Sequence, residues 1–545
     1  MDALYSTAAA RRIDHLATAG LGGDGYLLMQ RAGQAGWRVL LQRWPGAQRL
    51  VVACGSGNNG GDGYVLARLA LQSGRRVRVV HPPGGGPRTP LAQRACREFL
   101  GAGGRIELFP VALDDADLLV DALLGIGLEQ APRAALAALI EALDAAPAPV
   151  FALDVPSGID ADRGSAPGVA LHAQCTLQFI VAHAGLRTGV ALEHGGQLLL
   201  DTLEVEAAGY ADASPRAELL DARALHRWLP PRRRDTHKGE SGRVLCVGGE
   251  LGGGGAIVLC AQAALRAGAG LVGVATRAAH VPAALARQPE AMVRAVEAGD
   301  GLAPLLEAIG DSGVVACGPG LGGGDWGASL FQRVLGSGRP LVLDADALNL
   351  LAAAPRALDD AILTPHPGEA GRLLGLDAAQ VQHDRFGALD ALVQRYACTV
   401  VLKGAGTLVG APGRRPWVIG AGKSTLARAR LRALGVQGAI RSPTYTLVER
   451  YPVPGGEAWH LDLYRIGSAG ELDFLGLDGD EASLWLVEWP ERGAGALPPA
   501  DLRVWLQQQG PGRRAELEAG SAAGQAWLAA VQETGRLRAL PAGGP

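Results

Sequence analysis

The sequence predicts an α/β protein built on parallel sheets, and three observations carry that prediction. Short apolar runs alternate with longer stretches of helical periodicity through most of the chain. Many of those runs end in a Gly-rich or acidic segment, as in GSGNNGGDG, GIG, SGID, GPGLG and DADALN. A hydrophobic share of 48% beside 19% charged residues is that of a globular chain, and 545 residues correspond to roughly three or four domains.

The expected strands of the first third are Leu50–Cys54, Val77–Val80, Leu118–Ala122, Val150–Asp154 and Leu177–Val181. In an open α/β sheet the carboxyl ends of the strands line the ligand crevice, so the Gly-rich and acidic loops after three of them point to one site. The polar stretch 211–226 and the basic run Arg232–Arg234 read as a boundary and a solvated linker. A second series follows: Arg243–Val247, a helix over Ala256–Gly268, then Leu271–Ala275, Val314–Cys317, Leu341–Asp344, Ile362–Thr364 and Val400–Leu402. A third region starts near Gly420 with a phosphate-loop remnant.

Net charge is −3, which gives no polybasic footprint for direct nucleic-acid or anionic-membrane binding. The seven cysteines contain no C-x-x-C pair, so neither zinc nor a disulfide framework is indicated. No run of 18 apolar residues exists, no signal peptide is read at the N-terminus, and a cytoplasmic location is expected.

The run GNNGGDG packs four glycines after a strand, where close backbone approach and successive N–H groups suit a pyrophosphate. Alone it also fits a structural turn, and Asp121 or Asp154 alone also fits a helix cap. Together, NNGGDGYVLARLA, VDALLGIGLEQAPR and ALDVPSGIDAD closely resemble the NAD(P)H-hydrate epimerase family over residues 1–210, with a Rossmann-like fold. The resemblance implies interconversion of the R and S forms of hydrated NADH and NADPH (NADHX and NADPHX). It would place Asn58, Asn59, Gly60, Gly61 and Asp62, with Gly125, Ile126, Gly127, Leu128, Glu129, Gln130 and Ala131, against the dinucleotide. Asn59, Asp121 and Ser157 would hold K⁺, and Asp154 would contact the hydrated ring as the catalytic group. The residue types suit that chemistry: epimerising a hemiaminal carbon passes through an iminium-like cation, which a carboxylate can stabilise while moving a proton.

Over residues 220–415, HKGESGRVLCVGG, CGPGLG, DADALNLL, TPHPGEAGRLLG and VLKGAGTLVG resemble the ADP-dependent NAD(P)H-hydrate dehydratase family, of ribokinase-like fold. The resemblance implies that Ala256, Gly320 and His366 face the hydrate and that Lys403, Gly404, Ala405, Gly406 and Thr407 contact ADP or ATP. By itself His366 reads as an ordinary surface histidine. That family continues into G-x-G-D on a helix N-terminus, which binds the phosphoryl group and supplies the acid/base Asp. No G-x-G-D follows Thr407 here, so the domain is expected to be partial, without its last sheet edge, and its dehydratase inactive.

Over residues 416–545, GAGKSTLARARLRALG, SPTYTLVERY, HLDLYRI and LVEWPERG resemble the small P-loop ATPase of bacterial tRNA threonylcarbamoyladenosine biosynthesis. The resemblance implies that Gly420, Ala421, Gly422, Lys423, Ser424 and Thr425 cradle phosphates and that Ser424 and Glu488 hold Mg²⁺. Thr444 and Asp462 would lie in switch-like segments, and other proteins of that pathway would be partners. Trp417 stands where the loop's first glycine belongs, and Trp417–Ile419 favours extended backbone. Val418–Gly422 (VIGAG) resembles both the dehydratase stretch before its missing motif and the start of the P-loop.

The leading expectation is therefore a hydrate-repair enzyme, homo-oligomeric, with an intact epimerase, a defective dehydratase and a partial P-loop NTPase. A sugar-kinase-like phosphotransferase and a non-catalytic scaffold are the alternatives.

Overall fold

A computed structural model describes residues 2–128, 130–220, 235–297, 312–420, 447–463, 482–509 and 512–533, with isolated positions between these stretches. The chain divides into two compact units, Met1–Ala421 and Gly422–Pro545.

In the first unit, β1 (Asp2–Leu4) precedes a seven-stranded sheet of β2 (Arg49–Cys54), β3 (Arg76–His81), β4 (Arg105–Leu108), β5 (Leu118–Ala122), β6 (Val150–Leu153), β7 (Cys175–Phe179) and β8 (Gln197–Asp201). Its order is β4-β3-β2-β5-β6-β7-β8, and every pair is parallel. β5, β6 and β7 are buried throughout, and β6 (VFAL) accordingly reads as a continuous apolar run, while β5 and β7 also bury Asp121, Thr176 and Gln178.

Three expectations change here. Asn58 does not sit in a loop; it opens a helix, Asn58–Gln72, capped by Gly57. A Cβ on Gly60 would lie 2.1 Å from the Gly55 carbonyl oxygen and one on Gly63 would lie 2.6 Å from the Ala122 side chain, so these glycines let the helix press onto the strand ends. The strand expected at 150–154 stops at Leu153, because Asp154 turns out of the sheet with φ +66°. The strand expected at 177–181 is displaced toward the N-terminus, since Ile180 also takes a positive φ, +65°.

The second sheet has eleven strands: β9 (Ala217–Leu220), β10 (Arg243–Val247), β11 (Leu271–Thr276), β12 (Met292–Ala295), β13 (Val314–Cys317), β14 (Leu341–Leu343), β15 (Ala361–Leu363), β16 (Thr399–Leu402), β17 (Thr407–Gly410) and β18 (Trp417–Ile419), joined by β1. The order is β1-β9-β18-β17-β16-β15-β14-β13-β10-β11-β12. The expected helix over Ala256–Gly268 forms as Gly254–Ala267, ended by Gly268 in the left-handed region.

The polar stretch read as a domain boundary thus contains a strand, β9. β9 pairs in parallel with β18, and β1 pairs antiparallel with β9. Leu4 and Ala217 are fully buried in the same core as Leu408 and Val418. The A-E-L-L stretch carried too short an alternation to be distinguished from a polar connection. The edge of β18 away from β17 is covered by these two strands. Trp417 is extended, as its residue type favours, and its ring lies 5.1 Å from that of Trp228.

The second unit contains β19 (Val448–Val453), β20 (Gly456–Asp462) and β21 (Ala482–Glu488) in that order, then a hairpin of β22 (Leu502–Gln509) and β23 (Gly512–Ala519) and a helix Ala522–Glu533. Trp459, Leu461, Leu463 and Leu472 are buried together in its core. Among the described residues no helix is long and apolar enough to cross a membrane.

Candidate functional sites

The first site lies where β2, β5 and β6 end. Asn59, in the first turn of the helix after β2, donates from Nδ2 to the carbonyl oxygens of Leu124 (2.9 Å) and Leu153 (3.2 Å). Its Oδ1 is buried without a hydrogen-bond partner. Asp121, at the end of β5, is fully buried and accepts from the Ser157 hydroxyl at 2.6 Å, the Ser157 backbone N–H at 2.8 Å and the Leu123 N–H at 3.1 Å. Burial nevertheless pushes its carboxyl up to about 6 against those bonds. A buried carboxylate beside an orphaned amide oxygen and a hydroxyl is a donor set that fits a hard alkali cation. Among the described residues there is no group of three His, Cys, Asp or Glu side chains that could hold a metal ion.

Asp154 sits beside this set. Its positive φ is strain of the kind found at functional positions. Oδ1 lies 3.2 Å from Nε2 of buried His183. Oδ2 faces the Gly125 segment, where a Cβ on Gly125 would approach within 2.8 Å. Asp14 and Asp62 belong to the same cluster. Burial, then the charges of Asp154 and Asp14, hold the Asp62 carboxyl well above its usual range. Burial, then Asp154, raises Asp14 as well.

Asn58 is exposed and accepts a hydrogen bond from the Thr89 hydroxyl at 2.7 Å. Gly60 and Gly61 are buried under the helix start. Ile126 and Leu128 are half-buried, Gly127, Gln130 and Ala131 are exposed, and Glu129 lies outside the described residues. Arg11 reaches the Ile126 carbonyl at 3.5 Å.

In the second sheet, Gly320 (φ +62°) packs against Gly253, directly before the helix that carries Ala256. His366 caps the helix Pro367–Leu374: its Nδ1 accepts from the Gly368 N–H at 3.0 Å, and Glu369 returns the bond to the His366 N–H at 2.8 Å. Its setting is therefore a capping box, while half of the side chain remains exposed. Lys403 Nζ is 2.7 Å from Asp344 Oδ1.

The loop from Lys403 to Thr407 is engaged by a segment from the first sheet. The Thr188 hydroxyl lies within hydrogen-bond reach of the carbonyl oxygens of Ala405 (3.1 Å) and Gly406 (2.9 Å), and the Gly189 N–H donates to Ala405 at 3.0 Å. Arg385, fully buried, donates to the Thr188 hydroxyl at 2.9 Å, to Gln382 at 2.7 Å and to the carbonyls of Leu402 and Lys403, each at 3.2 Å. Burial lowers its guanidinium to about 10. A Cβ on Gly406 would lie 2.1 Å from the Arg187 carbonyl oxygen, so only glycine allows this approach. Neither Thr188 nor Arg385 was anticipated from sequence. A mid-domain threonine and the arginine of a D-R-F helix start carry no local signature of a shared junction.

In the second unit, Glu488 Oε1 is 2.6 Å from Nε2 of fully buried His460. The Asp462 side chain is buried and its N–H donates to the Leu447 carbonyl. Gly420 is exposed and abuts Leu219 of β9. Ala421, Gly422, Lys423, Ser424, Thr425 and Thr444 lie outside the described residues.

Comparison with known proteins follows the same division. Residues 25–185 match the family described as YjeF-related protein N-terminus, residues 244–430 match NAD(P)H-hydrate dehydratase, and residues 418–515 match threonylcarbamoyl adenosine biosynthesis protein TsaE. The last two matches overlap across residues 418–430. The bifunctional NAD(P)H-hydrate repair enzyme Nnr of Coxiella burnetii is 44% identical over 431 residues, 78% of this chain and 87% of the relative. The Escherichia coli enzyme of the same description is 41% identical over 418 residues, 76% of this chain and 80% of the relative. The solved ADP/ATP-dependent NAD(P)H-hydrate dehydratase of Bacillus subtilis, co-crystallised with ATP/Mg²⁺, is 27% identical, with a TM-score of 0.34 over 39% of this chain and 76% of that one.

Proposed function

Because the chain belongs to the bifunctional NAD(P)H-hydrate repair enzymes, which join an epimerase to a dehydratase, we propose that its working activity is epimerisation, carried by Asp154. The observation that supports this reading is the setting of that carboxylate: a strained backbone at a strand end, one oxygen on His183 and the other facing the Gly125 segment. A carboxylate so held moves a proton at the hydrated ring and stabilises the iminium-like cation between the two epimers. Asn58–Asp62 and Gly125–Ala131 receive the dinucleotide, the helix N-terminus favouring its phosphates. Asn59, Asp121 and Ser157 would hold K⁺, which supplies positive charge beside those phosphates when bound.

The dehydratase half keeps Ala256, Gly320, His366 and the Lys403–Thr407 loop for hydrate and ADP or ATP, but has no G-x-G-D after Thr407. We therefore assign it nucleotide recognition with at most trace dehydration. The C-terminal unit is read as a weak Mg²⁺–ATP binder of tRNA threonylcarbamoyladenosine biosynthesis type, with Ser424 and Glu488 at the metal.

The test uses the full chain and purified S hydrate of NADPH, following appearance of the R form. Asp154→Asn is expected to lower the rate ~10²–10⁴-fold. Equal rates for the two proteins would remove Asp154 from the mechanism.

A further inference from the structure

His183 has no assigned role, and its surroundings are unusual for a core histidine. It is 1% exposed, follows β7 by four residues and meets Asp154 at the crevice. Its backbone is held from both sides. The His183 N–H donates to Gln178 Oε1 at 2.8 Å, and Tyr5 brackets it by donating to the Ala182 carbonyl (2.8 Å) and accepting from the Ala184 N–H (3.0 Å). The backbone that carries the ring is thus fixed by contacts independent of Asp154. Its Nε2 meets Asp154 Oδ1 at 3.2 Å, while Nδ1 is buried without a hydrogen-bond partner.

We propose that His183 is a positioning residue for the epimerase: its Nε2–H holds Oδ1 of Asp154 so that Oδ2 is presented to the hydrated ring. This rests on the reading of Asp154 as the catalytic carboxylate. The geometry explains three facts together. A strained φ at Asp154 needs something to fix the side chain it re-aims, and His183 is bonded to that side chain. Three carboxyl groups, Asp14, Asp62 and Asp154, crowd one cluster, so a donor on one oxygen also offsets mutual repulsion. The bare Nδ1 fits the Nε2–H tautomer, because a proton on Nδ1 would be a buried donor with nothing to receive it.

The experiment compares wild type, His183→Met, His183→Gln and Asp154→Asn in the full chain, with kcat and KM for epimerisation of the NADPH hydrate. Methionine fills the space without a donor and should lower kcat ~10–100-fold with KM within about twofold, the size expected for losing a hydrogen bond to a charged group. Glutamine can place a donor amide near Nε2 and should recover most of the lost kcat. Nitrogen NMR of the wild-type imidazole should show the proton on Nε2. Wild-type kcat in His183→Met, no recovery in a folded His183→Gln, or a proton resident on Nδ1 would each overturn the proposal. The NMR readout holds even if the methionine variant fails to fold. Full activity in Asp154→Asn would instead overturn the reading of the site itself, so the two failures are distinguishable.

Discussion

Replacing Arg385 with methionine removes the hub that joins the two sheets of the first unit, and the size of the effect can be worked from its contacts. The guanidinium makes four hydrogen bonds of 3.2 Å or shorter, to Thr188, Gln382, Leu402 and Lys403. Bonds from a charged donor contribute ~1.5–3 kcal/mol each. Against this stands the cost of burying the charge, visible in a guanidinium lowered to about 10 and equivalent to ~3 kcal/mol that the variant recovers. Some freed acceptors rehydrate, so the net loss should be on the order of 3–5 kcal/mol, as for other buried charges whose removal leaves partners unpaired. Urea unfolding of the full chain, followed by tryptophan fluorescence and circular dichroism, should show a lowered midpoint for the first unit. A double-mutant cycle with Thr188→Val should give a coupling of ~1–2 kcal/mol, since the two side chains share one hydrogen bond and both reach the Gly406 carbonyl. A midpoint unchanged within about 0.5 kcal/mol, or strictly additive effects, would refute the reasoning that this junction is energetically shared.

The Asp121 carboxyl, raised to about 6 in the folded state, binds its proton more tightly there than in the unfolded chain. Stability without K⁺ should therefore fall by ~3 kcal/mol at most as pH rises from about 4 to about 6, and stay reduced above that. Thermal midpoints of wild type and Asp121→Asn across pH 4–8 check this, parallel curves counting against it. Incubating S hydrate with ADP and the full chain should regenerate NADPH absorbance only at trace rates; a rate like that of epimerisation would show that the missing segment is dispensable. Trp417→Gly should strengthen Mg²⁺–ATP binding while costing the first unit ~2–4 kcal/mol, because the ring packs on Trp228 and the strand pairs with both β17 and β9. Unchanged ATP affinity in a titration would mean that the loop closes without its first glycine.

What the sequence revealed was local, and what it hid was tertiary. The parallel strands β2 and β5 declare themselves because both faces are covered, leaving largely apolar runs. Asn59, Asp121, Asp154 and Ser157 were legible because they sit in dense motifs at strand ends. Glycines 60 and 63 were visible as glycines, yet their reason, a helix pressed onto strand ends, depends on neighbours distant in sequence. His183 and Asp14 join the crevice only through folding of the chain's first helix and the segment after β7. β1 and β9 were missed because strands of three and four residues carry almost no periodic signal.

The covering of β18 by β9 and β1 also sets a timetable. Roughly 200 residues separate β1 from β9, and a similar length separates β9 from β18. At a synthesis rate of ~5–20 residues per second, each strand waits roughly 10–40 s on the ribosome for its neighbour. Epimerase sheet strands β2–β8 are all complete before β18 is made, so the first domain can acquire its shape while a ribbon at its margin still has an open side. Cellular holding factors that shield unpaired backbone would have their longest engagement at that margin, and slowing translation beyond Leu220 would lengthen it without touching either crevice.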